Sequence, residues 1–202
     1  MRRPTGPDGF GSFGGGEDPI PGFVAQEVGD VTGRSLLHLA CGTGRETLAW
    51  ARRGAAQVVG VDASESAIDL ARDRAADLGM PPERAAFVVA DVYGAAVAVP
   101  DIAYDVVCSG FGSLAELPDV GRWAETAAAL VAPGGFLHLA EVHPLTGVLD
   151  EPAGTSGSRP AEDFFDDGPW NAEPPGTAPD FDDGPQGGHP GLRRQHSVAE
   201  VV

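Results

Sequence analysis

The sequence contains no lysine, since all thirteen of its basic residues are arginines. This absence excludes Schiff-base catalysis and a phosphate-binding loop built on lysine, because both need a primary amine. The basic residues are outnumbered by thirty acidic ones, which gives a formal net charge of -17 and a pI near 4.4. Nucleic acids and anionic lipid surfaces bind to basic protein faces, so we expect neither as a partner.

Long apolar runs and cysteine pairs are scarce as well. No run reaches transmembrane length, and the opening residues MRRPTGPDGFGSFGGG contain no apolar signal core. The two cysteines, Cys41 and Cys108, fall at the ends of predicted strands, which is more typical of a reducing compartment than of a disulfide. We therefore expect a cytoplasmic protein. Its 202 residues, 42% of them hydrophobic, suffice for one domain with a substantial core.

A strand–turn–helix–strand pattern spans residues 36–62. An apolar run over residues 36–40 precedes a turn with Gly42 and Gly44, and a segment of helical periodicity then ends near Gly54. A second apolar run ends in one carboxylate, Asp62. Glycines let a backbone approach a ligand, a helix N-terminus offers N–H groups, and a carboxylate accepts hydrogen bonds from ribose hydroxyls. The pattern predicts a site for a ribose-bearing cofactor.

Strands and helices continue to alternate along the chain. A weak helical pattern over residues 19–31 comes first, and after Asp62 a helix is predicted from an N-cap at Ser64 to Gly79. Strands follow over residues 85–90, 104–109 and 136–142, with a helix capped by Asp119 before the last of them. A turn at residues 133–135 separates that helix from the fifth strand.

This alternation predicts an α/β fold, with a doubly wound, mostly parallel sheet and helices on both faces. Ligands of such sheets bind at the carboxyl ends of the strands. Four polar or glycine positions fall at these ends, namely Gly42, Asp62, Asp91 and Ser109. Their shared position supports a cofactor site more strongly than any single motif does.

The composition divides the chain into four predicted segments. Residues 1–18 form a flexible glycine-rich tail, and residues 19–147 form the cofactor-binding domain. Residues 148–190 are rich in proline, glycine and acid, which is typical of a disordered linker, although scattered aromatic residues also allow a lid over the substrate. Residues 191–202 begin a C-terminal helix.

The motifs from residue 36 to residue 144 resemble those of class I S-adenosylmethionine-dependent methyltransferases. The segments HLACGTG, VVGVDAS, FVVADV, YDVVCS and LVAPGGFLHLAEVHP occur in the order of that family. The resemblance implies a Rossmann-like sheet, S-adenosyl-L-methionine as the cofactor, and methyl transfer. Because the negative charge disfavours nucleic acid, we expect a small-molecule acceptor. Family members continue through a further helix and strands 6 and 7. We expect this chain to be truncated before them, which leaves strand 5 as a sheet edge open to self-association.

The resemblance also implies roles for individual residues. The glycine turn wraps the methionine part of the cofactor, Asp62 binds the ribose, Asp91 with Val92 faces the adenine, and Ser109 lies under the methyl donor. His38 and Ala40 replace the usual strand-1 acid and first glycine, and for His38 a hydrogen-bonded core role is the alternative. The candidate cofactor-binding residues are His38, Ala40, Cys41, Gly42, Gly44, Asp62, Ala63, Asp91, Val92 and Ser109.

Catalysis offers fewer candidates. His143 follows strand 5 on the expected acceptor side and is a candidate general base. No metal site is predicted. An NAD(P)-dependent oxidoreductase stays open as an alternative, although the third glycine of G-x-G-x-x-G is missing after Gly44. A truncated, non-catalytic cofactor-binding protein is a third interpretation.

Overall fold

The computed structural model describes residues 18–101 and 103–141, together with the backbone of two short strands further on. The helices are α1 (Gly22–Val28), α2 (Arg45–Arg52), α3 (Glu65–Asp77), α4 (Ala95–Ala98) and α5 (Val120–Ala129). The strands are β1 (Ser35–Leu39), β2 (Gln57–Asp62), β3 (Ala85–Val89), β4 (Tyr104–Ser109), β5 (Val131–Leu139), β6 (Leu149–Asp150) and β7 (Arg159–Pro160).

Strands β1 to β5 form one sheet in the order β3-β2-β1-β4-β5, and all four pairings are parallel. The chain starts in the middle of this sheet, moves outward to β3, and returns past β1 to β4 and β5. The predicted α/β fold with a doubly wound parallel sheet is confirmed. Strands β6 and β7 form a separate antiparallel pair.

Each face of the sheet carries its own hydrophobic core, because successive strand residues point to opposite faces. On one face, Leu36 and Val58 pack with residues of α1, α2 and α3, including Trp50 and Ile68. On the other face, strand residues pack with α4 and α5, and the cluster includes Leu37, Val59, Val107, Trp123 and Ala127. Helices on both faces leave only the strand ends for a ligand.

The local signals for helix ends are confirmed. The Ser64 hydroxyl accepts the Ala67 N–H at 3.3 Å and caps α3, and the Asp119 carboxylate accepts the Arg122 N–H at 2.9 Å and caps α5. Leu78 lies just after the end of α3 and is 48% exposed.

The predicted start of the fifth strand is wrong. β5 starts at Val131 rather than residue 136, and the Pro133–Gly135 segment lies inside the strand. The register jumps there, since Tyr104 pairs with Val131 while Val106 pairs with Phe136. A Cβ on Gly135 would come within 2.6 Å of the Asp105 carbonyl oxygen, so glycine permits this close approach to β4.

Several expectations concern residues beyond the described part. The tail before residue 18, residues 161–202 and His143 lie outside it, so the segment boundaries and the general-base role stay predictions. Within the described sheet β5 is an edge strand, and self-association through it also stays a prediction. Among the described residues, no helix is both long and apolar enough to cross a membrane.

Gly44 is the glycine whose replacement we expect to damage the fold most. Its φ is +74°, and a Cβ there would lie 2.6 Å from the Phe87 ring and 2.7 Å from Ala71. We predict that Gly44→Ala lowers the free energy of unfolding by about 3 kcal/mol, from the steric overlap and the left-handed backbone.

Urea unfolding followed by circular dichroism measures this loss. Gly79→Ala is the matched control, since its φ is +66° but no atom lies within 4 Å of the added carbon. The control should lose only about 1 kcal/mol. Equal losses in the two variants would contradict the packing argument.

Candidate functional site

The carboxyl ends of β1 to β4 meet at one edge of the sheet. Leu39 is the register partner of both Val61 and Ser109, and Asp62 is the partner of Val89. The residues that follow these strands therefore emerge side by side. The structure thus brings the glycine turn, Asp62 and Ser109 together, as their positions in the sequence predicted.

The Asp62 carboxylate organises this edge. Its Oδ2 accepts the Gly42 N–H at 2.8 Å, and its Oδ1 accepts the Ser64 N–H at 2.9 Å. Asp62 therefore joins the glycine turn to the start of α3. A carboxylate has about four lone-pair positions, so each oxygen can accept a further hydrogen bond from a ligand.

The glycine turn is shaped by backbone conformation and close packing. Gly42 and Gly44 both have positive φ, and so does Ala40, with φ of +52°. A Cβ at Gly42 would meet nothing within 4 Å, so that side of the turn is open to a ligand. On its other side the turn is held by Arg74, whose Nη1 donates to the Thr43 carbonyl at 2.9 Å.

Both cysteines belong to the packing under the turn. A Cβ on Gly60 would lie 2.7 Å from Cys41 Sγ, so the turn rests directly on β2. Burial raises the pKa of both thiols, and the nearby carboxylates of Asp62, for Cys41, and Glu46, for Cys108, add to this effect. These thiols are protonated at neutral pH and are not nucleophiles.

His38 is a buried, hydrogen-bonded residue of β1. It is 3% exposed, and its Nδ1 lies 2.9 Å from the Thr47 hydroxyl, which is itself fully buried. Burial lowers the pKa of His38 to about 4, so the imidazole is neutral at pH 7. Its Nε2 lies 3.9 Å from Glu46 Oε2. The geometry agrees with the core-histidine alternative, while Nε2 still faces the ligand edge.

The residues after β3 form a short capped turn. Asp91 accepts the Tyr93 N–H at 2.8 Å and caps a 3-10 turn over Val92–Gly94. The Asp91 side chain is exposed and Val92 is buried, while Ala63, after β2, is exposed. Asp91 is thus an exposed acid next to a buried valine. Its predicted contact with the adenine stays a prediction.

Ser109 belongs to a hydrogen-bond network that orders the loop after β4. Its hydroxyl lies 2.7 Å from the Ser113 hydroxyl and donates to the Leu39 carbonyl at 3.5 Å. Glu141 accepts the N–H groups of Gly112 at 2.7 Å and Leu114 at 3.0 Å, and the Ser113 hydroxyl at 2.8 Å. The loop that follows the predicted methyl-transfer position is therefore fixed by a carboxylate beyond β5.

Helix α1 contacts the same loop. Phe23 is 47% exposed and packs edge-on against Phe111, with 5.8 Å between the ring centroids. Glu27 Oε2 lies 3.0 Å from His138 Nε2 on β5. These contacts connect residues distant in sequence, and the periodicity of α1 alone could not reveal them.

Three further residues at this edge were not predicted from the sequence. Arg74 and Thr47 look like ordinary helix positions, and Glu46 follows the turn as a first-turn acid of α2. The only usable signal was the placement of Glu46 and Thr47 directly after the glycines. In the described residues no cluster of three metal-ligating side chains occurs.

Comparison with known proteins identifies the family. Residues 36–135, which contain the turn, Asp62, Asp91 and Ser109, match the family described as "Methyltransferase domain". The chain belongs to the class I S-adenosylmethionine-dependent methyltransferase family. This is the family that the order of the motifs resembled.

Two curated relatives and one solved structure illustrate the similarity. The chain is 30% identical to the ubiquinone biosynthesis O-methyltransferase of Leptothrix cholodnii over 60% of this chain and 49% of that protein. It is 30% identical to the ribosomal protein L11 methyltransferase of Photobacterium profundum over 65% of this chain and 42% of that protein. An S-adenosylmethionine dependent methyltransferase structure from Mesorhizobium loti is 26% identical, with a TM-score of 0.50 over 59% of this chain and 51% of that chain.

The chain thus spans about half the length, or less, of these relatives. One of the two curated relatives is named for ubiquinone biosynthesis and the other for ribosomal protein L11, so the similarity does not identify a methyl acceptor.

The buried imidazole of His38 makes the stability of this methyltransferase domain depend on pH. Its pKa is lower in the folded state than the ordinary value of 6.5, so the unfolded chain binds the extra proton first. The contribution of His38 to the free energy of unfolding is fully present above pH 6.5 and is lost as the pH falls toward 4. Between pH 7.5 and 4.5 we expect a loss of roughly 2–3 kcal/mol from His38 alone.

Urea unfolding at both pH values, on wild type and His38→Gln, isolates this contribution. Glutamine cannot take up the proton, so the variant should lose roughly 2–3 kcal/mol less stability than wild type on acidification. Identical pH dependence in the two proteins would show that His38 is not the buried neutral group described above.

Proposed function

We propose that this protein transfers a methyl group from S-adenosyl-L-methionine to a small-molecule acceptor. The observation that carries the proposal is the Asp62 carboxylate, which fixes the glycine turn through Gly42 and keeps acceptor capacity on each oxygen. An open glycine turn beside such a carboxylate is suited to a ribose and the chain attached to it. The residues present therefore fit the cofactor of the family.

The residues of the site bind and orient rather than react. Asp62 accepts hydrogen bonds from hydroxyl groups, and the turn from residue 40 to 44 surrounds the amino-acid part. Asp91, next to Val92, offers an acid to the base. When bound, S-adenosyl-L-methionine supplies a methyl group on a positively charged sulfur. Alignment and exclusion of water are then the main contributions required of the protein.

The loop from residue 110 to 114 is the part we assign to the acceptor. Glu141 and Ser109 fix its backbone, and Phe111 with Phe23 adds a partly exposed aromatic surface. The strongly acidic composition disfavours nucleic acid as the acceptor. His143 stays a predicted general base.

We also propose that the protein works in the cytoplasm. Both cysteines are buried free thiols, a state that a reducing compartment preserves.

Calorimetric titration tests the cofactor directly. Purified protein should bind S-adenosylhomocysteine and give no heat with NADH. Asp62→Asn should weaken S-adenosylhomocysteine binding about 10- to 100-fold, because it removes a charged acceptor from the ribose and the turn.

Asp69→Asn is the control, since it removes the same charge from an exposed acid on α3 and should leave the affinity unchanged. Heat with NADH alone would support the oxidoreductase alternative instead. Tight binding without methyl transfer to a broad panel of small molecules would favour the non-catalytic interpretation.

A further inference from the structure

Three polar atoms lie where β1 ends, between the glycine turn and the loop after β4: the Ala40 carbonyl oxygen, His38 Nε2 and Glu46 Oε2. A Cβ on Gly110 would lie 3.3 Å from the Ala40 carbonyl oxygen and 3.5 Å from His38 Nε2. Both atoms therefore lie close to the same point above Gly110. Glu46 Oε2 lies 3.9 Å from that same His38 nitrogen. The acceptors come from β1, the residue after it, and the first turn of α2.

The charges of this cluster suit a cation. Burial keeps His38 neutral at pH 7, and in the tautomer whose Nδ1–H donates to the Thr47 hydroxyl, Nε2 presents a lone pair. Glu46 brings a formal negative charge and is 34% exposed, so a ligand can reach it.

We propose that Glu46 binds the α-ammonium group of the methionine part of S-adenosyl-L-methionine, with His38 Nε2 and the Ala40 carbonyl as the neighbouring acceptors. This inference rests on the proposed function. An ammonium group has three N–H donors and no acceptor, which matches three convergent acceptors of which one is charged.

The proposal accounts for a departure from the family pattern. The resemblance implies an acid at the position of His38, and a neutral imidazole cannot supply that negative charge. Glu46 supplies a carboxylate at the same place from the following helix. The absence of a side chain at Gly110 keeps the space beside the acceptors open.

A purely structural role for Glu46 is the competing explanation. An acid in the first turn of a helix stabilises the helix through its dipole. Loss of Glu46 could therefore disturb the glycine turn and lower the affinity for every ligand that binds there. The two explanations differ in which ligands are affected, because only one part of the cofactor carries an ammonium group.

Calorimetric titration of wild type and Glu46→Gln with two ligands separates them. S-adenosylhomocysteine carries the amino-acid part, and 5′-methylthioadenosine has the same nucleoside and thioether without it. We expect Glu46→Gln to lower the affinity for S-adenosylhomocysteine about 10- to 100-fold. The affinity for 5′-methylthioadenosine should change less than about twofold. The ratio of affinities is measured on folded protein, so it does not depend on a small loss of stability.

Glu83→Gln is the matched control, since Glu83 is exposed near the amino end of β3, at the opposite edge of the sheet. It should leave both affinities unchanged. Equal weakening of both ligands by Glu46→Gln, or no weakening of either, would overturn the role of Glu46 while the cofactor assignment stands. Failure of wild type to bind either ligand would overturn the proposed function itself, and the Glu46 assignment with it.

Discussion

The site depends on the pair of hydrogen bonds that the Asp62 carboxylate accepts from the backbone. One bond holds the N–H of Gly42 in the turn after β1, and the other holds the N–H of Ser64 at the start of α3. Two loops from neighbouring strands are thereby fixed to one side chain. Hydrogen bonds to a charged acceptor are stronger than neutral ones, so this arrangement can persist before any ligand arrives.

Packing beneath the turn works together with this carboxylate. Neither Gly44 nor Gly60 has room for a Cβ, because the Phe87 ring lies against both, together with Ala71 at Gly44 and Cys41 Sγ at Gly60. Ala40 has a left-handed backbone that alanine seldom adopts. The surrounding contacts therefore hold a strained conformation at the ligand edge, as is common at functional sites.

The parts of the fold that were predictable from the sequence are those set by local interactions. The caps at Ser64 and Asp119 and the bounds of β4 follow from neighbouring residues, so their sequence signals were sufficient. The start of β5 was not predictable, because it depends on the close approach of Gly135 to the backbone of β4, which is distant in sequence. The Glu141 network and the His38–Glu46 cluster likewise join residues distant in sequence or on different elements. Only the fold reveals them.

Hydrogen exchange of individual amides in the ligand-free protein tests the central role of Asp62 most directly. The Gly42 and Ser64 amides should be protected in wild type and exchange at least about tenfold faster in Asp62→Asn, as loss of a charge-assisted hydrogen bond implies. The Cys41 amide, which donates to the Val61 carbonyl at 3.0 Å, should exchange at the same rate in both proteins. Unchanged exchange of the Gly42 amide in the variant would contradict the account.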